Sequence, residues 1–245
     1  MSITRLISKG FIPRQRALQA YDTQAESLQA HQLKKLITKA AHTEWGVKHS
    51  YDTIHSYEDY ARRVPIQSYD DIKPYVERMR HGARNVLWPS QVRWYAKSSG
   101  TTNDKSKFIP VTSEGLKQMH YKGPADCLAY YLMTRPDSRF FDGKGLILGG
   151  SHAPNYNLKH SLVGDLSAIL IENIHPLANF LRVPSKEVAL LSDFEEKMER
   201  IARSTISKNI TNISGVPSWM MAVIKRVLEI TGAQSLDEVW PNLEI

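Results

Sequence analysis

Apolar residues near the start of the chain recur at helical spacing. Leu18, Tyr21, Ala25, Leu28, Leu36 and Ala40 fall close to a 3.6-residue period with polar residues between them. This predicts an amphipathic helix from Pro13 to about His42, with Gly46 in its end region. Two similar pieces come next, Ser56-Tyr-Glu-Asp59 and Ser68-Tyr-Asp-Asp71. Each reads as a serine N-cap with acids in the first turn, where they complement the helix dipole. Those paired acids therefore need no metal or acid–base role. Pro74 predicts a late start or a kink in the second of these helices. Val92 to Ala96 and Phe108 to Val111 are aromatic, β-branched and apolar, and predict two short strands. Ser113 to about Met133 predicts a long helix, with Leu116, Met119, His120, Cys127 and Tyr131 inward and a kink at Gly123-Pro124.

Further along, Leu146 to Leu148 reads as a buried strand, with Gly149-Gly150-Ser151-His152 as the loop at its end. The stretch from Asp165 to Asn173 is apolar enough to pack, and His175-Pro176 punctuates it. Ser192-Asp-Phe-Glu195 reads as a capping box before a helix reaching about Ser204. Ile210 to Ser214 predicts a strand. Gly215-Val-Pro-Ser-Trp219 then turns into a helix from Trp219 to about Ile230, which Gly232 closes. Ser235-Leu-Asp-Glu238 is a second capping box, and Asn242 to Ile245 looks like the beginning of a strand. Helical and short strand segments alternate throughout, so the fold class is α/β, with no 20–50-residue repeat.

Composition narrows the class. The 245 residues suffice for one large domain or two small ones. No apolar run approaches 18 residues, so no transmembrane helix or membrane partner is expected. The N-terminus has basic residues but no sustained apolar segment, so no secretory signal is expected. The single cysteine, Cys127, has no partner for an internal disulfide, and among Ala125, Leu128 and Ala129 it reads as a small buried core residue. A cytoplasmic protein is expected. The net charge of +7 suits an anionic ligand and equally suits nucleic acid. Its densest runs, Lys34-Lys35, Arg62-Arg63 and Lys225-Arg226, are pairs on predicted helices and read as solvated faces. The nine histidines show no ligand spacing for zinc, and no metal ligand is assigned.

The candidate chemistry lies in YAKSSGTTNDKSKFIPVT, Tyr95 to Thr112. Ser98, Ser99, Gly100, Thr101, Thr102, Asn103 and Asp104 bury little apolar surface and predict a loop between two strands. Gly100 permits φ > 0, and successive N–H groups can then line one concavity that suits an anion. The hydroxyls add donors, and Lys105 and Lys107 add point charges of the kind that meet phosphate. The same residue types also make up any exposed hairpin loop. The Walker pattern is absent. The glycines of Gly143-Lys-Gly145-Leu-Ile-Leu-Gly149-Gly150 precede the strand, in the wrong order for a dinucleotide fingerprint. Gly150-Ser151-His152 is not a nucleophile elbow. For Ser151 and His152, a polar turn and a substrate contact both stay open, since loops at strand C-termini in α/β sheets bind ligands.

The order SSGTT-x-x-x-x-K resembles the phosphate loop of the adenylate-forming superfamily, the acyl- and aryl-CoA ligases and firefly luciferase. More narrowly, the chain resembles the auxin-responsive acyl acid amido synthetase family in its bacterial form. The likeness extends to NVLWP at Asn85 to Pro89, LILGGSH at Leu146 to His152, SGVPSWM at Ser214 to Met220 and LDEVWPNLEI at Leu236 to Ile245. Asn103 stands where many superfamily members carry glycine; asparagine also tolerates the left-handed region.

The resemblance implies that Ser98, Ser99, Gly100, Thr101, Thr102 and Asn103 hold ATP phosphates. It implies that Lys107, whose spacing from Gly100 fits the family loop better than that of Lys105, is the catalytic lysine. It implies a carboxylic acid and an amino acid as partners, ATP and Mg2+ as cofactors, and no nucleic acid. A comparable strand–turn–helix lies near the substrates in such enzymes. Ser218 and Trp219 are thus weaker substrate candidates, with Trp219 as plain core the simpler reading. The expected fold is the N-terminal part of a large domain of mixed sheets flanked by helices. The adenine, ribose and metal motifs and a small C-terminal domain are expected beyond Ile245. The chain is then an N-terminal fragment that does not turn over alone. Two other readings stand beside this one: transfer to CoA thiol after the same adenylation, and a basic α/β module that binds nucleic acid without catalysis.

Overall fold

A computed structural model of the chain describes residues 2–98 and 106–245. The fold is mixed α/β. Among the described residues there are six strands: β1 (Trp94–Lys97), β2 (Phe108–Val111), β3 (Lys144–Ile147), β4 (Leu162–Gly164), β5 (Arg182–Val183) and β6 (Ile210–Ser214). They make two three-stranded sheets, ordered β2-β1-β4 and β5-β3-β6. The chain divides into two compact units. One, the hairpin unit, comprises Arg16–Met119 and Ala153–Val163. The other, the parallel-sheet unit, comprises Met1–Gln15, His120–His152 and Gly164–Ile245.

In the hairpin unit, β1 and β2 pair antiparallel in the register Trp94↔Val111 to Lys97↔Phe108. Both predicted strands are therefore present. Val76, Met79, Val86, Val92, Tyr95 and Val163 form the core beneath them. Ser56 caps Tyr57–Arg63, its hydroxyl accepting from the Asp59 amide. Ser68 and Asp71 make a reciprocal capping box on Tyr69–Arg80. That box fixes the first turn, so Pro74 does not delay the helix start; it forgoes one interior N–H instead. Gly46 lies inside the short helix Glu44–Lys48, and a Cβ there would stand 2.1 Å from the Ala40 carbonyl oxygen. Only glycine fits that approach.

The N-terminal helix differs from expectation. In place of one helix from Pro13 there are two, Ile3–Gln19 and Tyr21–Ala40, with non-helical backbone at Gln24. The early start has a distant cause. The Asp142 carboxylate accepts from the Thr4 amide at 2.9 Å and from the Ser2 hydroxyl at 2.9 Å. It caps the first turn from residues no local pattern reveals.

The core of the parallel-sheet unit surrounds Leu146 on β3, which runs parallel to both β5 and β6. Helices Phe194–Thr205 and Pro217–Thr231 pack there through Met198, Ile201, Ala202, Met220, Val223 and Val227. Trp240 is fully buried and donates its Nε1–H to the Thr205 carbonyl at 3.2 Å. Gly232 closes the second helix at φ 70°, in the left-handed region that glycine takes without strain.

Other expectations shift. The cap of Phe194–Thr205 is Asp193, accepting from the Glu196 amide, one residue past Ser192. Ser235 keeps its place before Leu236–Val239, but its hydroxyl takes no cap bond from the helix amides. The long helix from Ser113 is interrupted by a π-helical segment, Leu116–His120, before Lys122–Thr134 resumes. Gly123-Pro124 falls in the first turn of that second helix, where proline is tolerated. The π segment rotates the phase of the helix after it. Leu116, Ala129 and Leu132 are buried, whereas Met119 and Cys127 are exposed, so Cys127 is not core. Residues 242–245 form no strand, yet the Ile213 amide donates to the Ile245 carbonyl and the Glu244 amide to the Thr211 carbonyl, both at 2.8 Å.

Ile201→Ala, at a fully buried position, is expected to cost about 3 kcal/mol of unfolding free energy. Met221→Ala, 63% exposed on the neighbouring helix, is expected to change it by less than about 0.5 kcal/mol. Urea denaturation of both variants distinguishes this core from one in which the helix faces are reversed.

Candidate functional site

Two polar loops stand at strand ends, one in each unit. In the hairpin unit, β1 and β2 bring Ser98 and Lys107 together at the base of their connection. The Ser98 amide donates to the Lys107 carbonyl at 2.9 Å, and the Lys107 amide donates to Ser98 Oγ at 3.3 Å. These bonds extend the ladder one step and set the width of the loop mouth. Ser99, Gly100, Thr101, Thr102 and Asn103, the predicted phosphate contacts, lie outside the described residues, as does Lys105. Lys107 is exposed, with Nζ 5.6 Å from the centroid of the Tyr69 ring.

The mouth is braced from below. Tyr69, at the start of Tyr69–Arg80, accepts the Phe108 amide on its hydroxyl at 2.9 Å. Burial pushes that hydroxyl's pKa up. Phe108 lies opposite Lys97 in the ladder. The Arg80 guanidinium sits 3.7 Å over the Phe108 ring, and its Nη2 donates to the Tyr156 carbonyl at 2.8 Å. Lys97 Nζ stands 4.3 Å over the Tyr156 ring. Two cations and two aromatic faces thus lock the hairpin base to its helix.

In the parallel-sheet unit, Ser151 and His152 lie in the turn beyond β3, and Ser218 and Trp219 in the turn-to-helix beyond β6. The Leu148 amide donates to the Ser214 carbonyl at 2.8 Å, and a Cβ on Gly215 would stand 2.7 Å from Leu148 Cβ. The two turns therefore leave side by side from the carboxyl edge of parallel strands, the edge where α/β sheets bind ligands. Ser218 is exposed at the second position of Pro217–Thr231. Trp219 is half-buried against the core and stacks edge-on with Phe194 at 5.7 Å. The core reading of its ring thus fits the packing. His152 Nε2 lies 3.8 Å from the Glu172 carboxylate, which also binds Lys186 at 2.7 Å.

The residue that shapes this edge is Lys197. It is 3% exposed, and its ammonium donates to the Gly149 carbonyl at 2.7 Å and to the Gly150 carbonyl at 3.0 Å. Burial pushes its pKa below the usual lysine value, opposed by the charge of Asp165. Asp165 in turn accepts the Ser151 amide at 3.0 Å, and Ser167 Oγ accepts the Gly150 amide at 2.7 Å. A Cβ on Gly150 would meet the Asp165 carboxylate at 2.0 Å, so the glycine is required. Lys197 carries a sequence signal of its own: a lysine within the inward stripe of Met198, Ile201, Ala202 and Thr205. Among the described residues no group of three or more His, Cys, Asp or Glu is placed to hold a metal ion.

Lys197→Met removes both donors while keeping most of the volume. It is expected to leave two buried carbonyls unpaired and to cost about 1–3 kcal/mol. Amide exchange at Gly150 and Ser151 should speed up while that of Leu146 within β3 holds. Hydrogen-exchange mass spectrometry and urea denaturation check this; unchanged exchange in the turn would contradict it.

Comparison with known proteins fits this layout. The chain matches the model described as GH3 family N-terminal domain over residues 14–245. It is 27% identical over 111 residues to an indole-3-acetic acid-amido synthetase, GH3.8, of Oryza sativa subsp. indica, covering 45% of this chain and 18% of that protein. It is 28% identical over 134 residues to the 4-substituted benzoates-glutamate ligase GH3.12 of Arabidopsis thaliana, covering 54% and 23%. A solved structure of the AtGH3.15 acyl acid amido synthetase in complex with 2,4-DB superposes with a TM-score of 0.72 at 18% identity, covering 91% of this chain and 38% of that one. That likeness supports the fold. The chain thus spans well under half the length of the relatives it matches. With nearly its whole length matched by the family model, the chain belongs to the GH3 family.

Proposed function

We propose that the full-length protein adenylates a carboxylic acid with ATP and passes the acyl group to an amine, typically that of an amino acid, forming an amide. The observation that carries this is the hairpin mouth, Ser98 against Lys107, in a chain matched along residues 14–245 by the GH3 N-terminal domain. The relatives are named for amide-forming reactions on acids such as indole-3-acetic acid and substituted benzoates, which supports the substrate class.

In the first step a carboxylate oxygen attacks the α-phosphorus, and pyrophosphate leaves with the bonding pair. The carboxylate is already ionised, so no general base is needed. In the second step the amine nitrogen attacks the acyl carbon, AMP leaves, and the nitrogen loses a proton. The demand on the protein is positive charge and N–H donors where charge gathers on the leaving pyrophosphate. Backbone amides and hydroxyls of Ser98, Ser99, Gly100, Thr101, Thr102 and Asn103 would meet the phosphates, with Lys107 beside them. Lys107 is exposed and anchored at its backbone, so it can reach a phosphate without straining the strand. Mg2+ would accompany ATP as its counter-ion, and no residue of this chain is assigned to it. Ser151, His152, Ser218 and Trp219 are the weaker substrate candidates. The chain would form the N-terminal part of the large domain, with adenine and ribose contacts supplied by sequence outside it.

Carboxylate-dependent exchange of labelled pyrophosphate into ATP, with the full-length protein and a pool of acids, tests this. Lys107→Ala is expected to lower exchange by about 10²-fold, the scale of losing one transition-state donor. Exchange that ignores the acid pool would remove the adenylation reading. Product analysis with amino acids and with CoA then identifies the acceptor, and a thioester as sole product would overturn amide formation.

A further inference from the structure

At the other end of β1 from the phosphate loop the hairpin unit carries a second polar recess. It is a cavity of about 290 Å³ lined by Gln91, Arg93, Lys159, His160, Ser161 and Leu162. Its lining holds two cations and a histidine and no carboxylate. Neither Arg93 nor Lys159 makes a side-chain hydrogen bond or ion pair among the described residues. On a surface where carboxylates elsewhere pair with Arg62, Arg78 and Lys39, two neighbouring cations without partners stand out. Ser161 adds an independent observation. It is 1% exposed, and its Oγ has no hydrogen-bond partner. An unpaired buried hydroxyl costs free energy comparable to a lost hydrogen bond, so its persistence asks for a ligand or a trapped water.

The recess is also held in shape. Leu158 and Ser161 exchange both backbone bonds, at 3.0 and 3.2 Å, which fixes Lys159 and His160 at the tip of a tight turn. The Leu162 amide donates to the Arg93 carbonyl at 2.8 Å, tying that turn to β1. Gly82 completes the clamp. At φ 102° it takes a conformation reserved for glycine, and a Cβ there would stand 2.9 Å from the His160 ring. His160 is therefore seated on Gly82. The backbone that carries these donors is fixed before any ligand arrives, which lowers the ordering cost of binding.

We propose that Arg93, Lys159, His160 and Ser161 form a binding site for a phosphate-sized oxyanion, either inorganic phosphate or the phosphate of a phosphomonoester. The geometry keeps it apart from the ATP loop. Arg93 and Ser98 are five residues apart along an extended segment, about 16 Å at strand rise. Arginine offers the planar fork, lysine the point charge, and the serine hydroxyl a donor that nothing else uses. A phosphate occupies part of the cavity and leaves room for several waters. The site does not depend on the adenylation reading.

The test is titration of the full-length protein with inorganic phosphate, and separately with glycerol phosphate, at constant ionic strength with chloride as the balancing anion. Binding is monitored by calorimetry and by 31P line width. Wild type, Lys107→Ala, Lys159→Gln and the Arg93→Gln/Lys159→Gln pair are compared. Lys159 is exposed at a turn tip, so Lys159→Gln keeps the fold; far-UV circular dichroism and the melting midpoint in chloride verify each variant. Saturable binding that survives Lys107→Ala, weakens about 10-fold in Lys159→Gln and vanishes in the pair is the expected result. Binding of both anions assigns the site to the phosphate group itself, and binding of inorganic phosphate alone assigns it to the free ion. Loss of binding in Lys107→Ala would overturn the proposal, since the anion would then sit in the ATP loop. Equal binding by wild type and the pair, or no saturable binding by wild type in the tens of millimolar range, would overturn it as well.

Discussion

The antiparallel register of β1 and β2 is the constraint on which the candidate chemistry depends. Four residue pairs and the added Ser98–Lys107 bonds hold the two ends of the polar loop at ladder distance. The bracing by Tyr69, Phe108, Arg80, Tyr156 and Lys97 then ties that mouth to a helix whose start is fixed by the Ser68–Asp71 box. Sequence, ladder and helix cap act on one short stretch of backbone.

The parallel-sheet unit solves a related problem with a different device. The turn after β3 must leave a parallel strand without its own ladder partner beyond Leu148. Its two glycine carbonyls are buried and need donors. Lys197 supplies them, at the cost of a desolvated ammonium that Asp165 partly offsets. The gain is a turn with a single shape, which Gly150 alone permits because the Asp165 carboxylate occupies the space of any side chain. Where a loop must hold a substrate, a fixed turn keeps donors in register.

The features legible in the residues are those that depend on near neighbours. β2 and β6 are read with their own bounds, β1 and β3 to within two residues, and the Ser56 and Ser68 caps directly, because each is set by alternation or by spacing of three. The features that are not legible depend on distant partners. Ile3–Gln19 starts early because Asp142 caps it from far along the chain. Cys127 faces outward because a π segment shifts the helix phase, and nothing in the periodicity of residues 113–133 marks the insertion. Lys197 sits within an apolar stripe and so is visible in principle. A lysine there is easily taken for a snorkelling side chain until the carbonyls it meets are known. At the candidate site, the two predicted strands bring Ser98 and Lys107 together at their ends, and the residues from 99 to 105 lie outside the described part of the chain.

A crystal structure of the full-length protein with a non-hydrolysable ATP analogue tests most directly the proposal that the β1–β2 loop holds the phosphates of ATP. The expected result is the β- and γ-phosphates within the mouth set by Ser98 and Lys107, with Lys107 Nζ about 3 Å from a phosphate oxygen. A nucleotide bound with its phosphates elsewhere, and the loop clear of them, would contradict it.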